Sequence, residues 1–390
     1  MVISILGHGV VGKGVWEMLQ GNPLYTVRNV LVKKGEKTAD FMVESFDTIL
    51  HDDSELVIEC MGGIDPAFEF TSKCMEAGKS IISSNKALVA AHGIDLLNIA
   101  RRKNLSFLFS AACGGAIPIL QNLCLARQTD SIVWAGGILN GTTNFILDNM
   151  DRNGLGFDEA LAQAKALGYA EADPTADISG MDTMRKIMLI SMVAYDVLPN
   201  SDYSIEGIQS VSAADFSVAA KLGYTIRLIG RCGLADSGRL YAYVQPFLCR
   251  KGSLYSSILT NTNLAQYHGT NAGDMSFLGQ GAGRYPTASA ILRDVSSVTN
   301  GQKQILSDKC LVGFACNNAK ECVMKYFVRS TGAGFSALSD KVKVEKVLCE
   351  ENGVSFAVTE PVSVKDMHEA AAEARRKGNA VFFAALQEEA

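Results

Sequence analysis

The sequence lacks the features that mark three broad classes of protein. Its longest apolar stretch, around residues 187–194, is interrupted by a serine and is far shorter than the ~20 residues that cross a bilayer. The ten cysteines contain no CxxC motif and no cysteine–histidine cluster, so they match reduced thiols rather than zinc ligands. Lysine and arginine number 36 against 41 acidic residues, a net charge of −5. This balance does not favour binding to nucleic acid or to an anionic membrane.

The chain does have enough apolar residues to bury a large core. It is 390 residues long, with 48% hydrophobic and 20% charged residues, so we expect two large units, or two with a smaller third. The first residues, MVISILGHG, carry no basic segment and reach glycine after six residues, which predicts a buried strand rather than a secretory signal. We therefore expect a cytoplasmic protein whose partners are small molecules.

The order of elements predicts the fold class. From Met1 to about Ile138, short runs rich in β-branched residues alternate with helical stretches: VISIL, NVLV, ELVIEC, KSIISS, LSFLFS and SIVWAGGIL. This alternation is typical of βαβ units in a Rossmann-type, doubly wound parallel sheet. The C-terminal residues instead follow a βαββαβ order. We predict a dinucleotide-binding domain over 1–135 with a return helix at about 286–315, an α+β substrate-binding and dimerisation domain over 136–285, and a small α+β module over 316–390.

A glycine-rich turn follows the first strand. The sequence from Gly7 through Gly9 to Gly12 is a GxGxxG motif that leads directly into a helix. Glycines at these positions let the chain turn tightly and approach a pyrophosphate, which then lies on the amides at the start of the helix. The motif therefore predicts dinucleotide binding, and its alternative is a tight turn with close helix packing.

Lys33 and Lys34 stand at the end of the second strand. NAD-dependent enzymes usually have an acid there that binds the ribose 2′-hydroxyl, whereas basic residues suit the 2′-phosphate of NADP. The two lysines favour NADP without excluding NAD. The alternative is that both are solvated residues of a loop.

Asp182 and Lys186 are four residues apart in a segment that becomes helical after Ser179, so they share one helix face. Such a pair is usually a surface ion pair. The residues that follow, IMLISMVAYDV, are almost all apolar, which indicates a buried helix with its ionisable groups at a cleft. A desolvated lysine can lose its proton near neutral pH, as a general acid or base must.

Two polar segments follow predicted strands. Ser84, Asn85 and Lys86 come after KSIIS, and the residues NGTTN at 140–144 come after GGIL. Ligands of open α/β sheets bind where strands end, so both segments are candidates for a binding site. An ordinary turn or helix cap is the alternative for each.

Seven segments occur in the order and spacing of homoserine dehydrogenases, and the chain resembles that family over about residues 1–315. They are GHGVVGKG, ECMGGIDPA, SSNKALVAAHG, GGAIPIL, GGILNGTTNFIL, LGYAEADPTADISGMDTMRK and LGQGAGRYPTASAILRDV. The resemblance implies reversible hydride transfer between L-homoserine and NAD or NADP to give L-aspartate 4-semialdehyde, a step of threonine and methionine biosynthesis. It also implies a homodimer or a larger homo-oligomer.

The resemblance also implies residue roles. Lys186 is expected to transfer the proton, Lys86 to be a second cation at the substrate, and Glu171 to bind the substrate ammonium. Asp177 and Asp182 are expected to orient these groups. The expected substrate-site residues also include Asn140, Gly141 and Thr142. The expected cofactor-binding residues are Gly7, Gly9, Val10, Val11, Gly12, Lys33, Lys34, Gly62, Ser84, Asn85 and Gly283.

The chain departs from the family at two places. Many members have a glutamate where this chain has Ser110, and some hold a monovalent cation near that loop, so the missing carboxylate argues against a sodium ion and leaves the metal content unknown. The C-terminal residues resemble a shortened ACT module, whose expected effector turn is Gly332-Ala333-Gly334 followed by a short helix. Binding of an amino-acid effector there stays open.

Two alternatives to homoserine dehydrogenase activity remain. Another amino-acid dehydrogenase on the same scaffold, such as one acting on aspartate, does not explain the segment YAEADP…DISGMD…RK. A non-catalytic NADP-binding regulator has no need for Lys86, Glu171, Asp182 and Lys186 together.

Overall fold

The apolar and helical segments of the sequence form strands and helices in the computed structural model, which describes residues 1–200, 202–306, 313–331, 334–338, 340–351 and 353–387. The strands are β1 (Val2–Leu6), β2 (Thr26–Leu31), β3 (Met42–Val43), β4 (Leu56–Glu59), β5 (Ser80–Ser83), β6 (Phe107–Leu108), β7 (Ile132–Ile138), β8 (Val197–Pro199), β9 (Ser204–Ile205), β10 (Tyr224–Leu234), β11 (Leu240–Arg250), β12 (Thr262–Gly269), β13 (Gly273–Gln280), β14 (Gly313–Ala315), β15 (Val323–Met324), β16 (Tyr326–Thr331), β17 (Val344–Glu351), β18 (Val354–Thr359), β19 (Val362–Ser363) and β20 (Val381–Leu386). The helices are α1 (Val10–Leu19), α2 (Phe46–Leu50), α3 (Ala67–Glu76), α4 (Lys86–Lys103), α5 (Ile119–Ala126), α6 (Gly141–Asn153), α7 (Phe157–Ala166), α8 (Thr175–Ile178), α9 (Met181–Tyr195), α10 (Ala213–Lys221), α11 (Arg284–Thr299) and α12 (Val364–Arg376).

These elements divide into two compact units. The first contains residues 1–131, 192–196 and the described part of 279–313. The second contains 132–191, 197–278 and the described residues from 314 onward. In the described part of the chain, no helix is long and apolar enough to cross a membrane.

The first unit is built on a parallel sheet with the strand order β3-β2-β1-β4-β5-β6. Its central strands are nearly continuous apolar runs, and Ile3, Ile5, Val57 and Ile58 are fully buried, as expected where helices cover both faces. The chain builds outward from β1 to one side and then from β4 to the other. The carboxyl ends of β1 and β4 therefore meet at the point where the strand order reverses, which is where such sheets bind ligands.

The assignment of the segment Ile132–Ile138 to the parallel sheet is wrong. In the structure this strand, β7, pairs antiparallel with β10 and with β12 in the sheet of the second unit. Its glycines explain the position, because a Cβ atom on Gly136 would lie 2.0 Å from the Gly230 carbonyl oxygen, and one on Gly137 would lie 2.1 Å from that of Leu264. The strand is a buried, glycine-lined centre of a mixed sheet, and its alternation of apolar residues does not reveal which sheet it joins.

The second unit is built on a ten-stranded sheet. Nine strands follow the order β13-β12-β7-β10-β11-β20-β16-β18-β17, and β9 pairs with β11. The C-terminal strands belong to this sheet, since β20 runs parallel to β11 with Phe247 opposite Ala385. Residues from both parts share one apolar core, in which Tyr243 and Phe247 of β11 pack with Met367 of α12 and Phe383 of β20. The expected βαββαβ module is therefore continuous with the substrate unit through a sheet and a core.

The return helix is shorter than expected. The sequence predicts this helix at about 286–315, whereas α11 begins at Arg284 and ends at Thr299. The helix ends because Gly301, two residues beyond Thr299, has a positive φ of 86°. The last residues of the expected range include 307–312, which lie outside the described residues.

Candidate active site

The turn between β1 and α1 leaves room for a ligand at the start of the helix. Gly7 has a φ of 101°, and a Cβ atom there would lie 3.0 Å from the Cys60 carbonyl oxygen. A Cβ atom on Gly12 would lie 2.0 Å from the Gly7 carbonyl oxygen, so both positions require glycine. A Cβ atom on Gly9 would have no heavy atom within 4 Å. Gly9 therefore leaves open space beside the first amides of α1, where a phosphate group binds favourably.

A cavity of about 840 Å³ begins at this turn and extends along the carboxyl ends of β1 and β2. Five of the predicted cofactor-binding residues line it: Gly7, Gly9, Lys33, Lys34 and Gly62. Its size is typical of sites for small molecules and cofactors. The lining also includes Phe46 and Phe70, whose rings stack at 4.0 Å and which sequence reasoning missed. The first of these falls on a short helix, α2, without a motif that marks it as functional.

Two carboxylates share the lysine end of the cavity. Glu36 and Glu44 line it together with Lys33 and Lys34. Glu44 accepts a hydrogen bond of 2.9 Å from the backbone N–H of Gly35, and Glu36 accepts one of 3.4 Å from that of Lys33. The backbone N–H groups of Lys33 and Gly35, which could bind a phosphate, therefore already donate to the carboxylates of Glu36 and Glu44. Sequence reasoning considered only the two lysines, because Glu44 follows a separate strand.

The other predicted cofactor-binding residues lie on α1, after β5 and before α11. Val10 and Val11 lie in the first turn of α1, and Val10 is 62% exposed. Ser84 and Asn85 follow β5, and the Ser84 hydroxyl donates to the Glu59 carbonyl at 3.3 Å. Gly283 stands before α11 with a φ of 114°, where only glycine is unstrained.

A buried carboxyl group connects the loops that follow β4 and β5, at the carboxyl ends of these strands. Glu59, the last residue of β4, is fully buried and accepts hydrogen bonds of 2.5 Å from the Ser83 hydroxyl and 2.7 Å from the Met61 N–H. The Asn85 amide donates 3.4 Å to the same carboxyl and 2.6 Å to the Gly63 carbonyl. Burial raises the pKa of Glu59 to about 7, against these hydrogen bonds, which lower it. The residue was missed because it ends an apolar run that predicts only a strand.

Lys86 is placed by the same network. Asn85 is the N-cap of α4, where its side-chain oxygen accepts the Leu88 N–H at 3.1 Å. Lys86 is the first residue of that helix. The side-chain oxygen of Asn85 thus accepts a free N–H of the first turn of α4, and its side-chain nitrogen donates to the loop after β4.

In the second unit, one amide connects two carboxylates. Asn140 precedes α6 and caps it through its side-chain oxygen, which accepts the Thr143 N–H at 2.8 Å. Its side-chain nitrogen donates to Asp177 at 2.7 Å and to Asp182 at 2.8 Å. Asp177 lies on α8, and Asp182 lies in the first turn of α9. Three separate segments of the chain thus meet at Asn140.

Lys186 completes this buried group. Its Nζ lies 2.9 Å from the Asp182 carboxylate and donates 2.5 Å to the Leu139 carbonyl. The side chains of Lys186 and Asp182 are each only 8% exposed. The expected i, i+4 pair is therefore an ion pair in the interior of the unit, and the alternative of a solvated surface pair is wrong.

The other predicted substrate residues surround the start of α6. A Cβ atom on Gly141 would lie 2.7 Å from the Asn261 carbonyl oxygen, so only glycine fits against that loop. The Thr142 hydroxyl donates 2.5 Å to the Tyr169 carbonyl, and Glu171 is an exposed residue two positions later. This contact holds the segment before α8 against the first turn of α6.

The loop at Ser110 has a carboxylate, although not at position 110. Asp294 of α11 is fully buried and accepts hydrogen bonds of 2.9 Å from the Ser110 N–H and 3.1 Å from the Gln121 side chain. Burial raises the pKa of Asp294 to about 6. Over the described ranges, no group of three or more His, Cys, Asp and Glu side chains is arranged to hold a metal ion, and the cysteines there are free thiols.

Comparison with known proteins matches both units. A model of the homoserine dehydrogenase NAD-binding domain matches residues 7–110, and a homoserine dehydrogenase model matches 118–296. A homoserine dehydrogenase of Corynebacterium glutamicum is 37% identical over 314 residues, which are 75% of this chain and 70% of that protein. The chain belongs to the homoserine dehydrogenase family. A homoserine dehydrogenase of Bacillus subtilis is 32% identical, with 80% of this chain and 76% of that protein covered.

Solved structures of homoserine dehydrogenases have the same fold. The structure from Thiobacillus denitrificans covers 100% of this chain and 98% of its own, with a TM-score of 0.87 and 27% identity. A structure from S. aureus covers 100% and 99%, with a TM-score of 0.78 and 27% identity. The predicted Rossmann-type domain followed by a second domain is confirmed. The chain is therefore an NAD(P)-dependent oxidoreductase with the activity of this family, the interconversion of L-homoserine and L-aspartate 4-semialdehyde, as its sequence predicts.

Proposed function

We propose that L-homoserine reacts at the buried group formed by Asn140, Asp177, Asp182 and Lys186. The observation that carries this proposal is the connected set of hydrogen bonds from Asp177 through Asn140 to Asp182 and Lys186. A buried ion pair held by neutral partners is an uncommon arrangement for stability alone, because replacing such a pair by apolar residues is often neutral or stabilising. Its retention is explained by chemistry at the Lys186 amine.

Lys186 is proposed to exchange a proton with the substrate hydroxyl on C4. In the reducing direction the ammonium of Lys186 gives a proton to the carbonyl oxygen as a hydride reaches C4, and in the oxidising direction the neutral amine takes the hydroxyl proton as the C4 hydride leaves. Asp182 and the Leu139 carbonyl hold Nζ at one position, which is what such a transfer needs. The bound nicotinamide supplies the hydride acceptor or donor.

The zwitterionic end of the substrate needs a carboxylate and a cation. We assign Glu171 to the ammonium group and Lys86 to the carboxylate, because a desolvated charge requires an opposite charge or strong hydrogen bonds. Glu171 lies in the segment that Thr142 ties to α6, and Lys86 begins the helix that Asn85 caps.

The first unit is proposed to hold the dinucleotide at the cavity lined by Gly7, Gly9 and Gly62. The open space beside Gly9, at the start of α1, fits a pyrophosphate, and the stacked rings of Phe46 and Phe70 form an apolar wall that fits an adenine. These residues bind and orient the cofactor, and they take no part in proton transfer.

We propose that NADP is preferred and that NAD is also used. The positive charges of Lys33 and Lys34 favour a 2′-phosphate, whereas Glu36 and Glu44 oppose it and occupy loop amides. The net preference is therefore smaller than the two lysines alone predict.

Four further properties stay predictions. A homodimer or larger homo-oligomer is supported by the edge strand β13, where Met275 and Leu278 are 38% and 55% exposed. An ACT-like nature of residues 316–390 is supported by the order of β16, a short 3₁₀ helix (Gly334–Ala337), β17, β18, α12 and β20, although Gly332 and Ala333 of the expected effector turn lie outside the described residues. The effect of Ser110 on sodium binding and the cytoplasmic location also stay predictions.

The proposed function is tested by an assay of the purified protein. Absorbance of the reduced nicotinamide is followed with L-homoserine or L-aspartate as substrate and with NAD or NADP as cofactor. We expect turnover with L-homoserine and none with L-aspartate. Turnover with L-aspartate would support a different amino-acid dehydrogenase, and absence of turnover with either substrate would support a non-catalytic regulator.

A further inference from the structure

The C-terminal residues contact the segment that carries the proposed substrate acids. The two family models match residues 7–110 and 118–296, so neither extends to the residues from 313 onward. In the structure, α12 of this C-terminal part lies against β9, and β9 lies against the turn that separates Asp177 from Asp182. We call residues 178–180 the acid turn.

A bidentate ion pair joins α12 to the residue that follows β9. The Arg375 guanidinium donates 2.9 Å and 2.8 Å to the two oxygens of Glu206, the residue that directly follows β9. The same guanidinium donates to the Val381 carbonyl at 3.1 Å and 2.9 Å, so its position is fixed from the C-terminal side. The Glu206 side chain is 11% exposed and that of Arg375 is 35% exposed. An Arg–carboxylate pair of this geometry has a defined direction, unlike a lysine pair.

A second contact from α12 reaches the same strand. His368 hydrogen-bonds the backbone of Ile205 and lies 2.9 Å from the Gln245 side-chain oxygen. Burial lowers the pKa of this histidine to about 3. The imidazole is therefore neutral at physiological pH, and the charged contacts of α12 with this part of the chain are Arg375 with Glu206 and Lys365 with Asp202.

The residues after β9 touch the acid turn through backbone atoms. The Ile208 N–H donates 2.8 Å to the Ile178 carbonyl. A Cβ atom on Gly207 would lie 2.2 Å from the Ile178 carbonyl oxygen, and one on Gly180 would lie 3.0 Å from Ile205 Cγ2. The backbone at Gly207 thus lies directly against Ile178, and the Ile205 side chain lies against Gly180, so we expect a shift of Glu206 to displace the acid turn.

The acid turn determines the positions of the Asp177 and Asp182 carboxylates. The Gly180 N–H donates 3.0 Å to the Asp177 carbonyl, and the Gly180 carbonyl accepts the first-turn N–H of Met184 in α9, at 2.9 Å. Asp177 and Asp182 thus depend on the same turn for their approach to Asn140. Displacement of about 1 Å at a reacting group can reduce the rate about 100-fold.

We propose that Arg375 and Glu206 are positioning residues, through which the C-terminal part of the chain holds Asp177 and Asp182 in place for the reaction. The inference rests on the proposed function, because it assigns the two acids to the substrate site. It gives the C-terminal residues a role in catalysis by the chain itself, independent of any effector. Neither residue touches the substrate.

The test compares Arg375→Met with Arg376→Met in the full chain. Arg376 is the exposed neighbour on α12, so its variant controls for loss of one positive charge on this helix. For Arg375→Met we expect kcat/KM for L-homoserine to fall about tenfold, while KM for the cofactor is unchanged, because the first unit binds the cofactor. Arg376→Met is expected to match the parent. Equal constants for both variants would overturn the proposal.

Two further variants separate positioning from a general loss of stability. Glu206→Gln retains the size and loses the charge, and it should reproduce the Arg375→Met kinetics, with no additional loss in the double variant because the two residues act as one pair. Additive losses would overturn the proposal. If Arg375→Met does not fold, Arg375→Lys, which keeps the charge and loses the fork, should fold with an intermediate kcat/KM, and parental kinetics would overturn the proposal.

Lys186→Met is measured in parallel to separate this proposal from the assignment of the substrate site. If Lys186→Met retains activity, the assignment itself fails, whatever Arg375→Met does. If Lys186→Met is inactive while Arg375→Met matches its control, only the positioning role fails.

Discussion

Lys186 and Asp182 lie one helical turn apart on α9 and form an ion pair of 2.9 Å in which each side chain is 8% exposed. The pair is connected to Asn140, so the charge on Asp182 is shared between an amine and an amide. A buried charge without a partner is strongly unfavourable, which makes each member of the group depend on the others.

Asn140→Asp is expected to reduce kcat/KM for L-homoserine about 10- to 100-fold. Aspartate caps a helix as well as asparagine does, so the start of α6 is retained. The variant loses the donor to Asp177 and Asp182 and places a third carboxylate beside them. Steady-state kinetics measure the effect, and thermal unfolding checks the fold. An unchanged kcat/KM with normal stability would remove Asn140 from the proposed site.

Glu171→Gln is expected to raise KM for L-homoserine at least tenfold with little change in KM for the cofactor. The substitution keeps the size and removes the charge that binds the substrate ammonium. Glu159→Gln, at an exposed position of α7, is the matched control and should leave both constants unchanged. An equal rise of both constants in Glu171→Gln would indicate a structural role for Glu171.

Selectivity between NADP and NAD is expected to shift in one direction when positive charges are removed from the cavity and in the opposite direction when a negative charge is removed. The double variant Lys33→Glu, Lys34→Glu should lower the ratio of kcat/KM for NADP to that for NAD. Glu44→Gln should raise this ratio, because it removes a carboxylate from the Gly35 amide at the same end of the cavity. If neither substitution changes the ratio, these residues do not contact the 2′ position of the ribose.

Stability is expected to fall as pH rises through 7. The pKa of Glu59 is raised from 4.5 to about 7, so the folded protein keeps a proton that the unfolded chain has already lost. This contribution, about 3 kcal/mol on an order-of-magnitude scale, is present below pH 4.5 and lost by about pH 8. Denaturant unfolding at several pH values measures it.

Glu59→Gln separates this effect from that of Asp294. The variant should flatten the pH dependence between 6 and 8, while Asp294, whose pKa is about 6, still contributes a decline below that window. A parental slope between pH 6 and 8 in Glu59→Gln would assign the dependence to another group.

The sequence predicted local features well and long-range pairing poorly. The run VISIL corresponds to β1, and the segment that becomes helical after Ser179 corresponds to α9, because both depend on the residues of one segment. The strand β7 was placed in the wrong sheet, since its neighbours β10 and β12 lie far along the chain and only Gly136 and Gly137 indicate their close approach. The continuity of β20 with β11 depends on a pairing of the same kind.

The candidate site also divides into features within one segment, which the sequence predicts, and contacts between distant segments, which it does not. The spacing of Asp182 and Lys186 predicts a shared helix face, and the apolar residues that follow predict its burial, so both features were accessible from one segment. The bridge from Asn140 to Asp177 was not, because it joins residues 37 positions apart. Glu59 and Glu44 were missed because a single acid beside a strand carries no pattern, and their significance depends on what other loops bring to them.

The central claim is that Lys186 transfers the proton during hydride transfer to or from L-homoserine. The most direct measurement is kcat for Lys186→Met, together with the affinity for the reduced cofactor from nicotinamide fluorescence. The account predicts that kcat falls by about 10²–10⁴ while the cofactor affinity is unchanged, because the amine acts in the chemical step and lies in the second unit. A folded variant with near-parental kcat would contradict the account.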